Sequence, residues 1–89
     1  MKAIVTVVGK DQVGIIAAVC IKLAEFNVNV LDISQTVMQG YFTMMMVVDV
    51  SGANLPLAMV CQQMDAHGQE MGVSIRVQRE DIFNAMHQV

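Results

Sequence analysis

The segment Gly9-Lys10-Asp11-Gln12-Val13-Gly14-Ile15-Ile16-Ala17 concentrates what chemistry this sequence offers. It passes from a β-branched run into an amphipathic one, so it reads as the turn between a strand and a helix. The backbone N–H groups from Gly14 to Ile16 then lie at a helix start, where they have no intrahelical acceptor. Such a terminus attracts carboxylates and phosphates through its open donors and its dipole. Asp11 has two readings. It caps the helix from within the chain, or it holds the ammonium group of a ligand whose carboxylate meets the helix start. The second arrangement suits a zwitterionic amino acid.

No catalytic constellation accompanies this turn. Lys10 is the one cation in it, and no Ser–His, Cys–His or paired-carboxylate arrangement can be placed around it. A phosphatase on a comparable fold needs an arginine in the phosphate loop, and a copper carrier needs a cysteine there. The sequence therefore reads as a non-enzyme without a cofactor. Cys20 and Cys61 each sit in an apolar helical pattern and read as reduced core thiols. His67 and His87 do not supply the spacing of a metal site. Met44, Met45 and Met46 alternate between strand faces, which suits core filling rather than chelation.

The elements that must position the turn follow from hydrophobic period. Lys2–Val8 is a buried strand bounded by Gly9, and the segment Gly9–Gly14 is expected to be a loop with a glycine at each end for unusual backbone angles. From Ile15 to Phe26 the period is 3.6, with Ile16, Val19, Cys20, Leu23 and Phe26 on one face, and Asn27 ends the helix. Val28–Met38 alternates, placing Leu31, Ile33, Gln35 and Val37 on one face and Val30, Asp32, Ser34, Thr36 and Met38 on the other. Gln39-Gly40 is a hairpin turn. Tyr41–Val50 is apolar on both faces, as a central strand would be. Asn54 is expected to cap a second helix with Pro56 in its first turn. Leu57, Val60, Cys61, Met64, Gly68 and Met71 form its stripe, and Gly72 its stop. Val73–Gln78 is a last strand with Val73, Ile75 and Val77 inward, and Ile82, Phe83 and Met86 mark a short C-terminal helix. The order is β-α-β-β-α-β, an α+β ferredoxin-like pattern with a four-stranded antiparallel sheet and two helices on one face.

Composition bounds the rest. At 89 residues the chain reads as a single domain, residues 1–89. Hydrophobic residues make up 55% and charged residues 15%, which excludes intrinsic disorder and leaves apolar surface best covered by another copy. A net charge of −3, no basic cluster, one Tyr, three Phe and no Trp argue against nucleic-acid binding. The N-terminus shows no cleavable leader, and its apolar stretch is too short for a bilayer, so a cytoplasmic protein without a membrane partner is expected.

Asp11-x-x-Gly14-Ile15-Ile16-Ala17, a helix ending Leu23-Ala24-Glu25, and then Val28-Asn29-Val30-Leu31-Asp32-Ile33 together resemble the ACT domain. The stretches 32–37 and 41–44 and the ending Ile82-Phe83-Asn84-Ala85-Met86 look like the small stand-alone ACT proteins of bacteria and archaea. The resemblance implies a non-catalytic regulatory module that binds an amino acid at a homodimer interface and acts on a separate regulated protein. The alternative is a ligand-free interaction subunit that docks on an enzyme or transporter. Carried over by position, the resemblance assigns the ligand to Asp11 and Gly14, to the backbone of Val13 and Ile15, and to the side chain of Asn29 from a neighbouring chain. Two positions depart from the pattern. Val13 stands where a proline is usual, and Gly9 stands where serine-binding members carry a histidine.

Overall fold

A computed structural model describes residues 1–10 and 14–81. In chain order the elements are β1 (Lys2–Lys10), α1 (Ile15–Glu25), β2 (Asn29–Met38), β3 (Tyr41–Asp49), α2 (Leu57–Met71) and β4 (Ser74–Arg79). The strands form one antiparallel sheet in the order β2-β3-β1-β4. This is the ferredoxin-like arrangement expected from the hydrophobic periods. The expected C-terminal helix at Ile82, Phe83 and Met86 lies outside the described residues.

The core forms where one sheet face meets both helices. Ala3, Val5 and Val7 of β1 and Phe42, Met44, Met46 and Val48 of β3 are buried on that face. Val19 and Leu23 of α1, with Val60 and Met64 of α2, close over them. Burial of these side chains is the main stabilising term; each one larger than Ala3 contributes about 1.5–3 kcal/mol relative to exposure. Both strands apolar on two faces, β1 and β3, are central. On the second face, Ile4 is buried and Val47 half-buried, while Met45, Val8 and Tyr41 are exposed.

Three turns obey their local chemistry. Asn27 takes φ 58, accepting the left-handed conformation that ends α1. Gln39 and Gly40 take φ 52 and 82, the two positive angles of a tight hairpin turn whose twist matches the flanking strands. Gly72 takes φ 76 after α2, with Val73 N–H donating to the Gly68 carbonyl at 2.9 Å.

Three expectations are corrected. Gly9 and Lys10 are not loop: they extend β1 and pair with Phe42 and Tyr41. Gly9 is needed for space rather than for an unusual angle, because a Cβ there would stand 2.6 Å from Val73 Cγ1. Asn54 does not cap α2. Pro56 occupies that position, and Asn54 Nδ2 donates instead to the Glu25 carbonyl at 3.0 Å, tying the loop to the end of α1. Finally, β2 carries a bulge between Val30 and Asp32. One extra residue shifts the alternation by one. Val30, opposite Val48, therefore shares the helix face with Ile33, Gln35 and Val37, and Leu31 has no partner of its own.

Candidate ligand-binding site

The start of α1 has the features its sequence implied. Gly14 sits at φ 87, ψ 3, a left-handed angle that a glycine adopts without steric penalty. Its carbonyl accepts the Ala18 N–H at 2.9 Å, the first bond of the helix. Among the described residues no side chain forms a cap bond at this helix start, and no acidic residue occupies the first turn. Lys22, in the last turn, complements the opposite end of the dipole. Ile15 is buried in the core, so its backbone is anchored while Gly14 stays exposed. A fixed set of backbone donors at a helix start can hold an anionic group without reorganising.

Of the five site residues expected, three fall within the described residues. Gly14 and Ile15 stand together at the start of α1, whereas Asp11 and Val13 lie outside the described residues. Asn29 is exposed at the start of β2 and pairs with Asp49 across the ladder. The whole of α1 separates it from Gly14, about 16 Å at the usual helical rise. One chain does not bring these positions together.

Position 9 bears on ligand identity. Gly9 lies on the helix face of β1, and Val73 fills the volume a side chain would need. A histidine there has no room unless the α2–β4 connection moves. The sequence pointed at Gly9 as a departure but carried no signal for this close approach.

A concave region away from these residues was not expected from the sequence. A groove of about 400 Å³ runs along α2 and β4, lined by Cys61, Gln62, Asp65, Ile75, Arg76, Val77 and Gln78. Cys61 Sγ donates to the Val77 carbonyl at 3.3 Å, and partial burial pushes its thiol pKa up. A thiol held protonated and hydrogen-bonded is a poor nucleophile. Among the described residues no three His, Cys, Asp or Glu side chains come together as a metal site. No helix among them is long and apolar enough to cross a membrane.

Residues 2–78 match the model of the ACT domain family. The chain belongs to the ACT domain family. Along its whole length it is 54% identical to a UPF0237 protein of Clostridium acetobutylicum, covering all of both chains. UPF0237 relatives occur in bacteria and archaea alike. The structure of an ACT domain protein from Streptococcus pneumoniae superposes with a TM-score of 0.82 at 48% identity, covering 93% of each chain. The regulatory subunit of aspartate kinase from Thermus thermophilus aligns with a TM-score of 0.67 at 25% identity, over 86% of this chain and 50% of that one. ACT domains are regulatory ligand-binding modules, and this chain has their architecture.

Proposed function

We propose that this ACT domain senses a free amino acid or a close analogue, bound where two copies meet, and transmits occupancy to a separate protein. The observation that carries the reading is the start of α1: a left-handed Gly14 followed by helix N–H groups with no side-chain cap bond among the described residues, on a helix anchored by Ile15. Those amides suit a carboxylate. Asp11 supplies the charge for an ammonium group, and Asn29 supplies an amide that can both donate and accept. Because Asn29 and Gly14 stand at opposite ends of α1, a site containing both takes them from different chains. Isothermal titration with a panel of amino acids tests the reading. Saturable binding by one member, weakened at least about tenfold by Asn29→Ala, as expected for losing a ligand hydrogen bond in a closed site, supports it. No binding by any member at millimolar concentration overturns it.

The alternative, a ligand-free subunit docking on an enzyme or transporter, is favoured by one observation. Leu31, Ile33, Val37, Met38, Tyr41 and Met45 leave large apolar side chains exposed along β2 and β3, on both faces of the sheet. Recovery of a stoichiometric partner whose binding ignores every amino acid in the panel would select that reading.

A further inference from the structure

Ile4 is buried on the face of the sheet that neither helix covers. Both helices close over the face carrying Val5 and Val7, and strand alternation turns Ile4 to the other. Every other buried apolar residue among the described residues belongs to the core cluster, and Ile4 does not. It is nevertheless only 7% exposed. Val8, further along the same face of β1, is 44% exposed, and Met45 on β3 is 38% exposed. A flat sheet gives its central residues similar neighbours, so the difference calls for a cover over Ile4 that Val8 lacks.

That cover is narrow. Gln78, Ile4 and Val47 stand abreast on β4, β1 and β3, and the outer two are half-buried. In the equivalent row of Ser74, Val8 and Thr43, all three are exposed. The rows lie four residues apart along β1, about 13 Å. A second copy laid on this face would bury both rows, whereas a single helix about 10 Å wide covers one. The buried row is also the one beside which the chain leaves the sheet. Arg79, the last residue of β4, pairs with Ala3, and Glu80 after it is half-buried.

The sequence beyond supplies what such a cover needs. Glu80 and Asp81 are already helical, and Ile82, Phe83, Met86 and Val89 follow at the spacing of one helix face. As a helix, residues 82–89 span about 12 Å, and the step from β4 across β1 to β3 is about 10 Å. So short a helix holds its shape only against a surface. We infer that residues 82–89 strap the open face of their own sheet, with the stripe of Ile82, Phe83 and Met86 over Ile4 and Val47. The groove along α2 and β4 is the competing seat, but Gln62, Asp65 and Arg76 make it a poor match for an apolar stripe. The strap withdraws Ile4 and Val47 from any docking surface and leaves Val8, Met45 and Tyr41 as the large apolar side chains open on that face. It holds with or without a bound ligand, so it stands apart from the sensing proposal.

Nuclear Overhauser contacts in the full-length protein test it. Contacts from the Phe83 ring to the Ile4 and Val47 methyls are expected, and mixing labelled with unlabelled protein should show them to lie within one chain. Contacts from Phe83 to Val77 or Leu57 put the tail in the α2–β4 groove, contacts seen only between chains give it to a partner, and no contact leaves Ile4 uncovered; each overturns the proposal. Thiol labelling is a second readout, with Cys20 and Cys61 separated by peptide mass. Phe83→Ser is expected to speed modification of Ile4→Cys about tenfold or more and to leave Val8→Cys unchanged, since a thiol reacts according to its exposure. An unchanged rate at Ile4→Cys, or an equal acceleration at Val8→Cys, overturns it too.

Discussion

Gly9 and Val73 approach so closely that a Cβ on Gly9 would stand 2.6 Å from Val73 Cγ1 and 3.0 Å from its Cβ. Val73 is buried and β-branched, so it has one favoured rotamer and little freedom to yield. Gly9→Ala is therefore expected to destabilise the fold by about 1–3 kcal/mol, the usual range for overpacking a core. Urea denaturation measures this as a lowered midpoint at unchanged slope. An unaltered midpoint would show that the α2–β4 connection can shift, and would reopen position 9 to a ligand-contacting side chain.

Asn54 joins two segments that the chain separates by β2 and β3. Its side chain donates to the Glu25 carbonyl at 3.0 Å and its backbone N–H to the Phe26 carbonyl at 3.0 Å. Asn54→Ala removes the first bond and leaves a carbonyl at the end of α1 to water. A loss of about 0.5–1.5 kcal/mol is expected, since the site is exposed and water replaces part of the bond. Amide exchange should accelerate first at Phe26 and Asn27, which makes this change distinguishable from a general weakening.

Asp49 gives the stability a pH dependence. Its Oδ1 accepts the Ser51 N–H at 2.9 Å, and that bond, with the Ser51 hydroxyl and then the Met1 ammonium, holds its carboxyl below the ordinary aspartate value. A carboxyl with a depressed folded-state pKa stabilises the protein above its unfolded value, about 3.9, and that contribution is lost as pH falls through the folded one. The urea midpoints of wild type and Asp49→Asn should thus differ at pH 7 and converge as pH falls below about 4. A difference that persists at pH 2 would mean that Asp49 acts through something other than its charge.

The sequence revealed most where a period had a buried partner to read. The stripe through Val19 and Leu23, and the one through Val60, Met64 and Gly68, each lie against the sheet as their spacing requires. β2 was different. Exposed along nearly its whole length, it has no buried face to fix its phase, so the bulge at Leu31 left no mark in the pattern. Gly9 and Gly14 were given the same explanation, yet one glycine answers a neighbouring side chain and the other a backbone angle. A single letter cannot distinguish these causes. The candidate site was legible in part: the left-handed Gly14 follows from its residue type and place before the helix. The distance from Gly14 to Asn29, by contrast, is a property of the packed chain that no residue spacing expresses.

The account depends on the amides at the start of α1 receiving a small anionic group, and an amide-resolved NMR titration observes them directly. With amino acids added singly to the full-length protein, at least one member should shift the backbone resonances of Gly14, Ile15, Ile16 and Ala17 saturably, together with Asn29. Shifts confined to the Cys61–Val77 groove, or none for any amino acid at millimolar concentration, would contradict it.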